Sequence, residues 1–128
     1  MNVPEVLIID DDPINNLICE KILQIKGISS NSYSFTSASK ALDFLAEIEG
    51  ETPAAILLDL NLPEIDGWQF LEKFQFLNIK TTIFILTSSI DPRDKNRSEA
   101  YKDVKGFFTK PLMDGNLEII RATINQAV

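Results

Sequence analysis

The stretch Ala54-Ala55-Ile56-Leu57-Leu58-Asp59-Leu60-Asn61-Leu62-Pro63 decides the fold. Its apolar run from Ala54 to Leu58 lacks any alternation of polar and apolar residues, the pattern of a central parallel strand covered by helices on both faces. Asp59 then stands at the carboxyl end of that strand. The same ending recurs along the chain: Ile8-Ile9 runs into Asp10-Asp11-Asp12, Ile85-Leu86 into Thr87-Ser88, and Phe107-Phe108 into Thr109-Lys110-Pro111. Open α/β sheets build ligand sites at such strand ends.

Helical patterns separate the strands. Asp12-Pro13 supplies an N-cap and a first-turn proline after a strand at Val6 to Ile9. Ile14, Leu17, Ile18, Ile22 and Ile25 follow at helical spacing, predicting a face packed on the sheet, and Gly27 stops the helix. Asn31 to Phe35 predicts a weak second strand; Ser37 or Ser39 caps a helix carrying Ala41, Leu42, Leu45 and Ile48, ended by Gly50. Beyond the loop Asn61 to Gly67, Trp68 to Leu77 predicts a helix with Phe70, Leu71, Phe74 and Leu77 inward. Thr82 to Leu86 is a fourth strand, and Asp91-Pro92 opens a polar helix to about Lys102. Gly106 to Thr109 is a short fifth strand, and Asp114 caps a last helix through Ile119, Ile120 and Ile124.

Five strand-then-helix repeats with right-handed crossovers are too few for a closed barrel, which needs about eight. They predict a flavodoxin-like (βα)5 doubly wound parallel sheet with strand order 2-1-3-4-5. Strands one and three are then neighbours at the switch point, so Asp10, Asp11 and Asp59 converge there.

The 128 residues suffice for one domain, residues 1–128, with its own core. A net charge of -7 without a basic stripe argues against direct nucleic-acid binding. Apolar runs of strand length and the start Met1-Asn2-Val3-Pro4-Glu5 give neither a membrane span nor a signal peptide, so the expected location is cytoplasmic. Cys19 is the only cysteine and there is no histidine, which removes internal disulfides, histidine catalysis and histidine metal ligation. Cys19 reads as a structural thiol.

Converging carboxylates repel one another unless a cation sits among them. With no Cys or His partner in the set, a hard divalent ion fits, and Mg²⁺ is favoured over Ca²⁺ because no dense ligand loop is present. Adjacent Asp10 and Asp11 suit metal holding. Asp59, alone at a central strand end, suits attack on a phosphoryl group to form an aspartyl phosphate. Lys110 would balance a phosphoryl oxygen and Thr87 would donate a hydrogen bond to another. Asp12 reads as a cap outside the metal set, Asp66-Gly67 as a loop-shaping turn, and Trp68 as packing.

Taken in order, Ile-Ile-Asp-Asp-Asp (residues 8–12), Leu-Leu-Asp-Leu-Asn-Leu-Pro-Glu-Ile-Asp-Gly (57–67), Ile-Leu-Thr-Ser (85–88) and Phe-Phe-Thr-Lys-Pro (107–111) closely resemble the receiver (CheY-like) domain of bacterial two-component response regulators. The resemblance spans essentially the whole chain. It implies that Asp59 accepts phosphate from a sensor histidine kinase or histidine phosphotransfer protein. It also implies Mg²⁺ held by Asp11 directly, by Asp10 largely through water, and by the backbone carbonyl of Asn61. Thr87 and Phe107 would be the switch residues, Lys110 the phosphoryl partner, and Pro111 would follow a cis peptide. Phe107 departs from the tyrosine often found there and offers no hydroxyl. Asn61 and Ser89 lie where family members tune hydrolysis. The implied output surface is the fourth helix, fifth strand and fifth helix, about Asp91 to Val128, signalling to an unidentified protein target as a monomer or a phosphorylation-dependent dimer.

Such a domain catalyses only its own phosphorylation and dephosphorylation. The fifth helix uses up the chain, so a stand-alone or excised receiver is expected. Two alternatives remain distinguishable by experiment: a receiver-like interaction module that takes no phosphate, and a phosphatase of the haloacid dehalogenase type. The latter leaves Asp59 unexplained and lacks its later acidic motif.

Overall fold

In the computed structural model, which describes residues 5–126, the run ending in Asp59 forms β3 (Ala55–Leu58), buried throughout. It is flanked by β1 (Val6–Ile9) and β4 (Thr82–Thr87), with β2 (Ser32–Phe35) and β5 (Val104–Thr109) at the edges. All pairings are parallel, in the order β2-β1-β3-β4-β5. Successive side chains alternate between two cores, as strand geometry requires. Leu7, Ile9, Ile56, Leu58, Ile83 and Ile85 face the core of α2 (Ala38–Glu47) and α3 (Gly67–Phe74). Val6, Ile8, Ala55, Leu57, Phe84 and Leu86 face that of α1 (Pro13–Ile25) and α5 (Asp114–Gln126). Helices on both faces are why the strands read as uninterrupted apolar runs.

Turn chemistry sets the boundaries. Asp12 and Ser37 cap α1 and α2, Asp91 caps the short α4 (Pro92–Ser98), and Gly27 and Gly50 take positive φ of 69° and 86°. After α3 a 3₁₀ turn, Gln75–Leu77, carries the chain to Asn78 in the left-handed region.

Four expectations are corrected. The stripe Ile14, Leu17, Ile18 and Ile25 does not pack on the sheet: these residues are 68%, 55%, 51% and 78% exposed, and α1 buries Asn16, Cys19 and Leu23 instead, with Ile22 half-buried against them. The buried amide of Asn16 donates to the Asp10 carbonyl at 2.9 Å, fixing the rotation of α1 and turning the apolar stripe outward. On α5, Leu117, Ile120 and Ile124 are buried, spaced as one face, whereas Ile119 is half exposed. Helix α4 ends at Ser98 rather than about Lys102. Tyr101 leaves the helix to stack on Trp68, at 6.0 Å between ring centroids, and to donate its hydroxyl to Glu72. β5 accordingly starts at Val104, two residues before Gly106, with a register irregularity opposite Ile83 and Phe84. Ala127 and Val128, at the end of the expected output surface, lie outside the described residues. Among the described residues no helix is long and apolar enough to cross a membrane.

Candidate functional site

Register places the acids. Ile9 pairs with Leu58, and the Asp59 N–H donates to the Ile9 carbonyl at 2.9 Å, so Asp10 and Asp59 leave adjacent strands side by side. Both are buried, at 2% and 5% exposure, while Asp11 is exposed. One carboxylate oxygen from each of Asp10, Asp11 and Asp59 lies within 4.8 Å of the others. At the far side, the Lys110 N–H donates to the Thr87 carbonyl at 2.8 Å, locking the ends of β4 and β5 together, and the Lys110–Pro111 peptide is cis.

The ammonium of Lys110 bridges the buried acids, donating to Asp10 Oδ2 at 2.6 Å and to Asp59 Oδ2 at 2.9 Å. Burial raises the Asp10 pKa above the usual carboxylate range, against the opposing pull of Lys110 and of the Asp12 N–H. For Lys110, burial pulls the pKa down, but the bonds to Asp10 and Asp59 together outweigh it and the net shift is upward. The ammonium therefore occupies the place where the sequence demanded a cation.

Asp10 is gripped from several directions. Its Oδ1 accepts the Asp12 N–H at 2.9 Å, its Oδ2 also accepts Asn15 Nδ2 at 2.8 Å, and its carbonyl accepts Asn16 Nδ2. Asp59 Oδ1 accepts the Asn61 N–H at 3.2 Å. Thr87 is fully buried and its Oγ1 accepts the Ser89 N–H at 3.3 Å; the Ser89 hydroxyl in turn donates to Asp94 on α4.

The turn residues behave as read. Asp12 accepts the Ile14 N–H at 3.0 Å as a cap, and Asp66 forms a capping box with Gln69. A Cβ on Gly67 would stand 2.7 Å from Leu60 Cα and 2.8 Å from the Asp59 carbonyl oxygen, so only glycine lets α3 abut the strand end. Trp68 is buried, with the Arg97 guanidinium 4.3 Å from its ring centroid. Phe107 lies half-buried on β5 against the α2/α3 core, whereas Phe108 is core and stacks on Phe84.

Oxygen donors alone, three of them anionic, fit a hard cation such as Mg²⁺ and not a thiophilic metal. A profile of the response regulator receiver domain matches residues 6–121. The chain belongs to the response regulator receiver family. The cell cycle response regulator CtrA of Brucella ovis is 32% identical over 107 residues, 83% of this chain and 43% of that protein. The chain thus spans less than half the length of the curated relatives it matches. A two-component response regulator from Cytophaga hutchinsonii is 31% identical, with a TM-score of 0.87 over 98% of this chain and 99% of that one. A response regulator receiver protein from Dyadobacter fermentans is 26% identical, with a TM-score of 0.80 over 94% of each.

In this receiver the predicted residues Asp10, Asp11, Asp59 and Lys110 come together at one edge, and Thr87 stands at the adjoining strand end. Sequence reading missed Asn15 and Asn16. The signal for them was present: a cap at Asp12 places residues 15 and 16 in the first turn of α1, within reach of the strand end that precedes it.

Proposed function

We propose that the chain is a phosphorylation-controlled signalling switch, with Asp59 the phosphoacceptor. The observation that carries this reading is the Lys110 bridge between two buried carboxylates at adjacent strand ends. Such a lysine can release Asp59 and pair with a phosphoryl oxygen. In the transfer, an Asp59 carboxylate oxygen forms the new bond to phosphorus as the P–N bond of a phosphohistidine breaks. The imidazole leaves with the electron pair of that bond and is neutral because the ring's other nitrogen already carries a proton, so no further proton is needed.

Asp10, Asp11, Asp59 and the Asn61 carbonyl would hold Mg²⁺, which when bound supplies the positive charge that lets an anionic phosphoryl group enter an acidic site. Lys110 would move from Asp59 to a phosphoryl oxygen, and the Thr87 hydroxyl would turn to donate to another, giving up the Ser89 N–H that it now accepts. Because Ser89 is tied to Asp94 and α4 is capped two residues later, that exchange is felt at α4, and Phe107 beside it would change rotamer. The surface of α4, β5 and α5 would then address a downstream protein, as a monomer or a phosphorylation-dependent dimer. The exposed stripe of Ile14, Leu17 and Ile18 begins two residues beyond the Asp12 cap, which supports a protein donor, a histidine kinase or phosphotransfer protein, rather than a small metabolite. The chemistry is confined to the protein's own phosphorylation and dephosphorylation.

Intact mass after incubation with acetyl phosphate or phosphoramidate tests the reading. A phosphoryl-sized gain that requires Mg²⁺ and is lost in Asp59→Ala is expected. Folded protein that gains no mass with either donor would instead be an interaction module without phosphate chemistry.

A further inference from the structure

Asp10 Oδ2 receives two side-chain donors of different kinds, the Lys110 ammonium at 2.6 Å and the Asn15 amide at 2.8 Å. The first is a movable cation and the second a neutral group on a fixed helical turn. That turn is unusually well anchored: Asp12 caps it, Pro13 pre-sets its backbone, and the buried Asn16 binds the Asp10 carbonyl while leaving its own Oδ1 without a protein partner. A buried acceptor left unpaired is unfavourable, so the contact with Asp10 outweighs it.

We infer that Asn15 is a positioning residue that holds the Asp10 carboxylate in its cation-binding orientation when Lys110 changes partner; this rests on the reading of Asp10 as a metal-holding acid. Once Lys110 turns away, Asn15 is the only side-chain donor to the Asp10 carboxylate among the described residues, beside the Asp12 N–H on the other oxygen. An amide suits the task because it carries no charge to compete with an incoming cation. Partners that orient a metal's own ligands typically matter by about 10- to 100-fold in affinity. Asn15 is only partly buried, which places it near the lower figure.

The test is calorimetric titration of the unphosphorylated chain with Mg²⁺, alongside phosphoramidate labelling at varied Mg²⁺. Asn15→Leu, of similar shape without a donor, is expected to bind Mg²⁺ about 10-fold more weakly. Its half-saturating Mg²⁺ for labelling should rise to match, while the rate at saturating Mg²⁺ falls by less than about threefold. Asn15→Gln, which keeps an amide donor on a longer arm, should recover part of the affinity. Mg²⁺ affinity in Asn15→Leu within about twofold of the parent would overturn the inference, as would a common fall in labelling rate and thermal stability with affinity unchanged. A parent that binds Mg²⁺ but takes no label would sink the phosphoacceptor reading alone. A parent that binds no Mg²⁺ would sink both.

Discussion

Lys110→Met removes the ammonium that bridges Asp10 and Asp59 and keeps most of the apolar stem. The two acids are 2% and 5% exposed, so without Lys110 they face each other as buried like charges. Removing one partner of a buried ion pair costs about 3–5 kcal/mol. The Lys110 side chain is 22% exposed, so water replaces part of the loss and the lower figure, about 3 kcal/mol, applies. For a chain of this size that corresponds to a fall in Tm of roughly 10 °C. Two further signatures follow from the same cause. Added Mg²⁺ at about ten times its Kd should return about 1.4 kcal/mol to the variant. The deficit should also shrink as pH is lowered: the Asp10 pKa, already raised by burial, loses the opposing pull of Lys110 in the variant, so the native state takes up a proton more readily than the unfolded chain. The assay is thermal unfolding in chelator at neutral and mildly acid pH, then with Mg²⁺. An unchanged Tm in chelator at neutral pH would refute the reasoning, because it would mean that the acids do not depend on Lys110 for their charge balance.

Gly67→Ala should cost about 1–3 kcal/mol in urea unfolding, since the added carbon meets backbone atoms of Asp59 and Leu60 rather than a flexible side chain. Burial, and then the charge of Asp10, push the Cys19 thiol up to about 11 from 9.0. Stability should therefore fall between about pH 9 and 11, where the unfolded thiol ionises and the folded one does not, and Cys19→Ala should lose that component of the slope. The same burial predicts slow thiol labelling of native protein at neutral pH, accelerating only on unfolding. Glu64 holds a φ of 63°, so Glu64→Gly should raise stability by about 0.5 kcal/mol, read as a higher urea midpoint at constant slope.

Much of the site was legible because its parts are local. A strand buried on both faces announces itself as an unbroken apolar run, and the residue ending it is found at the sheet edge whatever else the chain does. Asp10, Asp59, Thr87 and Lys110 were each placed this way, and Asp12, Asp66 and Gly67 by turn chemistry. Helix rotation was not legible in the same way. The sequence holds a genuine apolar stripe on α1, Ile14, Leu17, Ile18 and Ile25, which periodicity assigns to the core, yet the structure exposes it and buries Asn16, Cys19 and Leu23.

Order of strands, position of the acids and the class of cation they suit were therefore determined by the sequence alone, since they depend on burial patterns and on side-chain chemistry at fixed points of the chain. Which face of α1 meets the sheet, where α4 stops, and which donors hold Asp10 were decided only in the tertiary structure. Those outcomes turn on hydrogen bonds and ring contacts between separate elements, Asn16 to the Asp10 carbonyl, Tyr101 to Trp68 and Glu72, and Lys110 to both acids. A buried polar group must find its partner, and that requirement outweighs an apolar stripe whose residues can remain in water at modest cost.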